Sequence, residues 1–406
     1  MRAPASDGVD PAHTAAVHGV QRLCAAAVVA YCSYAICRTP LLPLYARDLG
    51  AGPELVGLVV GASTLAGVVV KLPAGALSDI VGRRPMLLAG AAVFAVLPFA
   101  YLAVSTLAGL VVLRYLHGHA TAIFGPVASA SVSDLAPAGR RGAWLSGYAA
   151  AQGAGQALGP FLAGVLIAGG SFAPAFLTAG VIGLAAPLVV GGWRPPPRAV
   201  VAGPRWPALR DGIRDVVRDR RLLVASVANA GQFVLSGALN AFLPLYALEV
   251  VGLTATQTGG LFAIQTVATL LMRPVGGGLS DRLGRRALIV AGLVVCAATV
   301  AVIPLATSGA ALAACVTVYA AGVAATAMAA TAFVTDVTSR ARYGAAHGVF
   351  GTIYDIGDAL GPLAAGLVVA AAGYPAMFRA GAALALGIAA LFAVLSGHAA
   401  PARTPA

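Results

Sequence analysis

The sequence predicts an all-α integral membrane protein in which twelve transmembrane helices form two six-helix bundles. Three observations predict this fold class. The 406-residue chain has a mean hydropathy of +0.88 and uninterrupted apolar runs of about 20 residues, the length that crosses a bilayer as a helix. Arginines are concentrated in every second gap between these runs. Motifs of the first half of the chain return in the second half.

Twelve spans result when the apolar runs are divided at charges, Gly/Pro clusters and polar tracts. The first run is long and lacks a small-residue cleavage site, which predicts an uncleaved span and not a signal peptide. The five cysteines lie inside apolar runs without metal-ligand spacing, which predicts small buried apolar residues. The spans, numbered 1 to 12, cover residues 20–46, 55–77, 86–106, 108–133, 143–169, 172–193, 221–248, 256–278, 287–307, 310–334, 344–372 and 374–397.

The distribution of charge predicts the orientation of the spans. The arginine-rich gaps alternate with gaps in which Arg47 is the one arginine. Because basic loops remain cytoplasmic, both termini and the long central loop are expected on the cytoplasmic side of the cytoplasmic membrane. The formal net charge of +12 is then a topology signal. It is not the basic patch of a nucleic-acid-binding protein, whose arginines cluster on one polar face.

The central loop divides the chain into two halves. We assign residues 1–192 to an N-terminal six-helix bundle, 193–220 to a cytoplasmic linker and 221–406 to a C-terminal six-helix bundle. The linker begins proline-rich and ends in a short amphipathic pattern. This composition predicts a stiff hinge that is solvated or lies among lipid headgroups.

The two halves repeat each other. "LPLYARD" (42–48) and "LPLYALE" (243–249) lie 201 residues apart, and four further pairs lie 202 residues apart. The repeat indicates a gene duplication that produced two bundles related by an axis along the membrane normal, with a central cavity between them. The four pairs are Asp79 and Asp281, Asp134 and Asp336, Gly142 and Gly344, and the segments "ALGPFLAG" (157–164) and "ALGPLAAG" (359–366).

A charged ten-residue motif interrupts the apolar sequence twice. "GALSDIVGRR" (75–84) follows span 2, and "GGLSDRLGRR" (277–286) follows span 8. Both resemble the signature loop of the major facilitator superfamily, Gly-x-x-x-Asp-Arg/Lys-x-Gly-Arg-Arg/Lys. Ile80 is the one departure, at the position where Arg282 keeps the basic residue in the second copy. The resemblance covers the whole chain and implies the twelve-helix fold of that superfamily.

Each copy of this motif is expected to act as a latch between helices. The glycines allow close helix approach and a tight turn, and the charged side chains seek opposite charges or lipid headgroups. The resemblance implies that the latch breaks and re-forms as the protein changes conformation. The alternative is that the arginines only fix topology. The latch residues are Gly75, Asp79, Gly82, Arg83 and Arg84 in the first copy and Gly277, Asp281, Arg282, Gly284, Arg285 and Arg286 in the second.

Span 4 contains a buried basic residue. "RYLHGHATA" (114–122) is similar to an Arg-x-x-x-Gly segment that is linked to proton coupling in many members of the superfamily. An arginine inside an apolar helix is costly and is expected to face a partner or a water-filled cavity. Arg114 is therefore a predicted proton-coupling residue, with snorkelling to the membrane face as the alternative. His117, three residues on and on nearly the same face, is either a cavity residue that carries protons or a hydrogen-bonded packing residue.

Span 5 carries a motif of small residues. "GAGQALGPFLAG" (153–164) resembles the Gly-x-x-x-Gly-Pro-x-x-Gly-Gly motif of antiporting members, with Ala163 at one glycine position. Small residues every fourth position allow backbones to approach closely, and a proline bends a helix. The resemblance implies export, although tight packing inherited by duplication is an alternative. The predicted helix-bending residues are Gly155, Gly159, Pro160 and Gly164.

Span 11 contains two carboxylates one helical turn apart, Asp355 and Asp358. They share one face of the helix, and a low dielectric disfavours their joint ionisation. At least one is therefore expected to take up a proton near physiological pH, as a proton carrier must. The equivalent residues of span 5, Gly153 and Gln156, are not acidic, so the repeat itself does not require acidity. The alternative is that one aspartate, Asp358, is held in a fixed pair and never titrates.

Span 1 and several uncharged polar residues complete the predicted substrate cavity. Arg38, Tyr31 and Tyr34 lie on nearly the same face of span 1, with snorkelling of Arg38 as the alternative. Lys71 and Arg273 are expected to snorkel at the inner ends of spans 2 and 8 and to belong to the latch. Hydrogen-bonding groups at membrane depth have nothing to bond in lipid. Those expected in the cavity are His117, Gln152, Gln156, Asn229, Gln232, Asn240, Gln265 and Tyr354.

These features favour a proton-coupled exporter of a small organic molecule that works by alternating access. A proton symporter or uniporter for a small metabolite is the alternative. The resemblance to the drug:proton antiporter branch implies multidrug efflux, although the arginine in span 1 argues against a simple cationic substrate and suits a zwitterionic, anionic or neutral one. No Walker loop or metal-type spacing occurs, so we expect no enzymatic activity, cofactor or metal. The expected partners are the substrate, protons and the lipid bilayer, and we expect a monomer.

Overall fold

The structure is a computed structural model that describes residues 11–137, 139–195, 214, 218–338 and 343–396. Helices dominate this part of the chain and no strand occurs in it, so the predicted all-α fold class is confirmed. Most of the predicted linker lies outside the described residues. The boundaries between the linker and the two halves therefore stay predictions.

Each predicted span is helical. Span 1 consists of two helices separated by a turn, and Gly373 separates spans 11 and 12 with a φ of +77°, which glycine adopts without strain. Short 3₁₀ turns at Tyr101–Ala103 and Ile303–Leu305 end spans 3 and 9. In chain order the helices are Pro11–Ile36 and Leu41–Asp48 (span 1), Pro53–Ile80, Arg83–Ala100, Leu107–Leu135, Arg141–Leu166, Ala173–Gly191, Arg220–Glu249, Ala255–Leu283, Arg285–Val302, Gly309–Val337 and Tyr343–Leu395 (spans 11 and 12).

Not every span is apolar enough to be recognised as membrane-crossing by hydropathy. Within the described residues, nine helical segments have the required length and composition, and the last of them joins spans 11 and 12. Spans 5 and 8 are long enough, at 26 and 29 residues, but are not among the nine. Their glutamines, threonines and glycines lower the hydropathy. Such residues are tolerated because a transmembrane helix that lines a cavity does not face lipid on every side.

Side-chain caps fix several helix starts. Thr106 before span 4 and Ser308 before span 10 each accept a hydrogen bond from the backbone N–H three residues further on. Span 8 starts with a capping box formed by Thr254 and Gln257. The caps at Thr106 and Ser308 are 202 residues apart, so the duplication extends to these local signals.

The two halves meet along two seams. Span 2 packs on span 11, and span 5 packs on span 8. In each seam a glycine faces the carbonyl oxygen of a proline: Gly57 faces Pro362, and Gly259 faces Pro160. A side chain at either glycine would collide with that backbone atom, because an added Cβ would lie under 3.0 Å from it. Glycine is therefore required for helix approach in both seams.

The halves are closed at one end by contacts between side chains and by the glycine seams. At the closed end, Arg47 forms an ion pair of 3.2 Å with Glu249, and the Tyr374 hydroxyl donates to the other Glu249 oxygen over 2.8 Å. This ion pair is exposed and contributes little, so the glycine seams hold this end. At the other end, where the two latch motifs lie, a Cβ built on Gly75 or Gly277 has no atom within 4 Å. Neither glycine therefore packs closely against another helix.

Candidate substrate cavity

A cavity of about 610 Å³ lies between the two halves. Spans 1, 2, 4 and 5 of the first half and spans 7, 8 and 11 of the second line it. Small-molecule sites have volumes of roughly 300–1,000 Å³, so this cavity has the size of a metabolite or drug site. The predicted residues that line it are Tyr31, Tyr34, Arg38, Gln152, Gln156, Asn240, Gln265, Tyr354, Asp355 and Asp358.

Asp355 is paired with Lys71 across the seam between spans 11 and 2. The Lys71 ammonium donates to both carboxylate oxygens, over 2.8 and 2.6 Å, and lies 5.7 Å from the centroid of the Tyr354 ring. The Asp355 side chain is 7% exposed. Our prediction that Lys71 snorkels toward the latch is therefore wrong, because a buried carboxylate on the opposite half holds its ammonium in the cavity.

Asp358 is paired with Arg38 of span 1. The two charged groups are 3.2 Å apart, and the Thr64 hydroxyl of span 2 donates to the same carboxylate oxygen over 3.0 Å. Each aspartate of span 11 thus has its own cation on the first half of the chain. The helical spacing of the two aspartates predicted only the repulsion between their carboxylates. Pairing with two different cations offsets that repulsion in this conformation.

Arg114 and His117 are buried behind the cavity wall and do not line it. Both are fully buried, with 0% of their surface exposed. Arg114 donates to the Tyr34 hydroxyl over 3.1 Å and lies 4.8 Å from the centroid of that ring, so Tyr34 separates it from the cavity. His117 shares a hydrogen bond of 3.2 Å with the Tyr101 hydroxyl. The cavity position predicted for His117 is wrong because Tyr34 covers it, with ring centroids 5.0 Å apart.

Asn229 and Gln232 of span 7 are also absent from the lining. They are 2% and 1% exposed. Gln232 donates to the Ser236 hydroxyl over 2.7 Å, and Ser236 is 2.8 Å from the Tyr319 hydroxyl of span 10. Both side chains therefore lie within the C-terminal bundle, and the prediction that they line the cavity is wrong. Gln232 donates within its own helix, and Ser236 extends this contact to span 10.

Arg273 of span 8 lines the cavity and was predicted to belong to the latch. Within the described residues its guanidinium forms no ion pair with a carboxylate. Several hydroxyl and aromatic lining residues were not predicted, because a serine or threonine in a helix hydrogen-bonds its own backbone and gives no pattern of its own. These further lining residues include Ser63, Thr64, Thr121, Ser129, Thr266, Thr269, Phe233 and Phe262.

The first latch motif ties four helices of its own half together, those of spans 2, 3, 4 and 6. Arg83 lies 2.9 Å from Asp79 and 3.1 Å from Asp134 at the end of span 4. Arg84 donates to the carbonyl oxygen of Gly191, at the end of span 6, over 2.6 Å. Gly82 has a φ of +105°, which explains why glycine stands at the turn. The expected close helix approach at Gly75 does not occur, because a Cβ on this glycine has no atom within 4 Å.

The second latch motif repeats these contacts. Arg285 pairs with Asp281 and lies 3.1 Å from Asp336, and Arg286 donates to the carbonyl oxygen of Ala393. Gly284 turns the chain with a φ of +86°. Arg282 is exposed and makes no ion pair to the described residues. Like Gly75, Gly277 has no close neighbour.

The small residues of span 5 pack against two different neighbours. Gly155 and Gly159 lie against span 1, at Val28 and Ala35, whereas a Cβ on Gly164 would lie 2.5 Å from the Ala255 carbonyl oxygen of span 8. The helix continues through Pro160. Span 11 repeats this packing, since glycines 202 residues further on face the same kinds of backbone atoms: Gly357 faces Ala230, Gly361 faces Val234, and Gly366 faces Pro53.

Sequence comparisons relate the chain to known transporters. It is 25% identical over 358 residues to an uncharacterized MFS-type transporter of Methanocaldococcus jannaschii, covering 84% of this chain and 88% of the relative. It is 27% identical over 265 residues to a probable nitrate/nitrite transporter, NarK2, of Mycobacterium tuberculosis, covering 63% and 64%. It is 26% identical over 147 residues to the quinolone resistance protein NorA of Staphylococcus aureus, covering 36% and 38%.

The fold is shared with solved structures. A bacterial homolog of the human lysosomal transporter Spinster, in an inward-facing and unoccupied conformation, superposes with a TM-score of 0.77 at 14% identity, covering 96% of this chain and 97% of the other. The sequence profile of the Major Facilitator Superfamily matches residues 23–264 and 226–406. These matches extend over both halves. The chain therefore belongs to the major facilitator superfamily of membrane transporters.

Proposed function

We propose that this transporter exports a small organic molecule across the cytoplasmic membrane in exchange for protons. The observation that carries the proposal is the pair of carboxylates in the cavity, each bound to a cation of the opposite half. A buried carboxylate that ties two moving bodies together is a group whose protonation changes the conformational equilibrium. Asp355 and Asp358 are the proposed proton carriers.

Protonation acts on the contact between the halves. When Asp355 takes up a proton, its attraction for Lys71 is lost, and the same holds for Asp358 and Arg38. Span 11 then loses its charged contacts with spans 1 and 2, and the seam between spans 2 and 11 keeps its glycine packing. Loss of a proton restores both ties. Proton binding and release therefore bias the opening and closing of the cavity, which is what coupling requires.

Three features favour export. Gly75 and Gly277, at the arginine-rich end that is predicted to be cytoplasmic, have no close neighbour, which supports a cavity that opens to this side and takes substrate from inside the cell. Span 5 resembles the motif of antiporting members. NorA, which shares 26% identity over 147 residues with this chain, is a quinolone resistance protein by name. Multidrug efflux is the version of export that this relationship supports.

Uptake of a small metabolite is the second candidate. It is favoured by Arg273, a cation that lines the cavity without a carboxylate partner in the described residues, and by the similarity to NarK2, a probable nitrate/nitrite transporter. The same carboxylates would serve in a symporter. The direction of substrate movement under an imposed pH gradient separates the two candidates.

Everted membrane vesicles from an expressing strain test the proposal. Respiration acidifies the vesicle interior, and a panel of toxic compounds and organic acids is added while acridine orange reports the pH gradient. A transported compound releases protons from the vesicles, so fluorescence recovers. Asp355→Asn and Asp358→Asn are expected to abolish this recovery, whereas Asp48→Asn, an exposed carboxylate at the closed end, is the control. If both cavity variants still gave the fluorescence recovery of the parent protein under the pH gradient, the proposal would be refuted.

A further inference from the structure

The repeat places one cation of each half at the same position of the cavity. Lys71 on span 2 and Arg273 on span 8 are 202 residues apart, which is the offset of the repeat. Both line the cavity. Each stands on a seam helix, because span 2 packs on span 11 and span 8 packs on span 5. The two positions are therefore equivalent in the backbone scaffold.

The residues opposite the two cations differ. Lys71 faces Asp355 of span 11 at 2.6 Å. The residue of span 5 that is equivalent to Asp355 is Gly153, so at this position the second seam has a cation and no carboxylate opposite it. Leu270 lies against Gly153, since a Cβ on this glycine would be 3.3 Å from the Leu270 Cδ1. Arg273 is three residues after Leu270 and shares its face of the helix, which points toward span 5.

The charges of the cavity do not balance. Three cations line it, Arg38, Lys71 and Arg273, against the two carboxylates Asp355 and Asp358. Arg114 adds a fully buried cation behind Tyr34, with no acidic partner in the part of the chain that the structure describes. A site with surplus positive charge at low dielectric attracts an anion. Among the cations that line the cavity, the one without a carboxylate partner in the described residues is Arg273, which also lacks the symmetry-related aspartate.

We propose that the transported molecule is an organic anion whose carboxylate binds Arg273 in the space beside Gly153, in place of the aspartate that the other seam contains. A guanidinium group presents two parallel N–H donors that match a carboxylate. Gln152 and Gln156 of span 5 line the same cavity and supply amide donors. This substrate class rests on the proposed function, in which the cavity is the transport site.

The remainder of the ligand is expected to be apolar. Phe233 and Tyr354 line the cavity as a stacked pair, with ring centroids 4.5 Å apart, and Phe262 lines it from span 8. A volume of about 610 Å³ is far larger than an inorganic anion requires. An aromatic or aliphatic body attached to the carboxylate would fill this space and remove apolar surface from water.

Binding to the purified full-length protein in detergent tests the inference without any gradient. The probes are benzoate and naphthalene-2-carboxylate, compared with the corresponding amides and with benzylammonium. The carboxylates are expected to raise the thermal midpoint saturably, because a ligand that binds the folded state stabilises it. The amides and benzylammonium are expected to give at most one tenth of the apparent affinity. Equal stabilisation by all probes, or by chloride and nitrate, would overturn the inference.

Gly153→Asp is the decisive variant because it restores the missing aspartate and would neutralise Arg273 from within the protein. It is expected to lower carboxylate affinity at least tenfold. Gly153→Asn adds a side chain of similar volume without the charge, and it is expected to lower carboxylate affinity less than threefold. Gly147→Asp adds the same charge to span 5 where a Cβ has no atom within 4 Å, and it is expected to bind like the parent protein.

Arg273→Gln provides a second test if Gly153→Asp does not fold. It is expected to lose carboxylate binding, and Arg273→Lys to retain part of it as a point charge. Unchanged affinity in Arg273→Gln, or in a folded Gly153→Asp protein, would overturn the inference. These outcomes are independent of the proton-coupling proposal, which fails only in the vesicle experiment with the two aspartate variants.

Discussion

The ion pair between Lys71 and Asp355 predicts a strong coupling between two residues of opposite halves. Removing one partner of a buried pair costs about 3–5 kcal/mol, because the other charge stays buried and uncompensated. Asp355 is 7% exposed, but Lys71 is 32% exposed, so solvent in the cavity screens part of the interaction. We therefore expect Lys71→Met to lower the free energy of unfolding by about 2 kcal/mol, below that range.

The double variant Lys71→Met/Asp355→Asn is expected to recover most of this loss. With the carboxylate also removed, no charge is left unpaired, and an amide can hydrogen-bond to water in the cavity. The coupling free energy from the cycle of four proteins is expected to be about 1–2 kcal/mol, within the range found for contacting residues. Titration with SDS in mixed micelles measures the unfolding free energy of each protein.

A matched cycle provides the control. Arg47 and Glu249 also form an ion pair between the halves, at 3.2 Å, but their side chains are 50% and 36% exposed. Arg47→Met, Glu249→Gln and the double variant are expected to give a coupling of less than about 0.5 kcal/mol. Additive effects in the Lys71 cycle, or equal coupling in both cycles, would refute the reasoning that burial makes the cavity pair strong.

Three further predictions concern the seams, the latch and the buried arginine. Gly164→Ala is expected to weaken the closed end by about 1–3 kcal/mol, so that spin labels across that end move apart, whereas Gly147→Ala should change nothing. Arg285→Gln should lower the transport rate while costing less than about 1 kcal/mol of stability, because its ion pairs are partly exposed. Arg282→Gln is the control and should leave the transport rate unchanged. Equal transport rates in the two variants would contradict the role of the latch. Arg114→Met should raise the thermal midpoint and lower transport, since the guanidinium is buried without a carboxylate partner in the described residues; a lower midpoint would contradict this.

The spans could be predicted from sequence because hydropathy and loop charge are local properties. The pairing of Lys71 with Asp355 could not, because it joins residues 284 positions apart and no local pattern states which spans meet. The sequence also did not predict that the side chains of His117 and Gln232 point away from the cavity. A polar residue that is buried inside a bundle and one that faces water have the same helical spacing.

Aligning the two repeats shows a difference in charge between the halves that composition alone does not show. Aligning the halves at an offset of 202 places Lys71 on Arg273 and Asp355 on Gly153. The aligned halves thus contain a lysine with a potential carboxylate partner and an arginine without the equivalent one. What the alignment cannot supply is the contact itself, since it does not say that span 2 meets span 11 and span 5 meets span 8.

The two seams share their glycine packing but differ in their charged side chains. Gly57 against Pro362 and Gly259 against Pro160 are equivalent contacts, so duplication preserved the backbone approach on which opening and closing of the cavity depend. Of the two seams, as far as the structure describes them, the one between spans 2 and 11 contains an ion pair, in which Asp355 binds Lys71, and the one between spans 5 and 8 contains none. In our proposals protons act on this seam, and the substrate anion acts on the other. Because both seams join the same two bodies, a change in either one biases the same conformational equilibrium, and this shared equilibrium is the physical basis on which proton and substrate would be coupled.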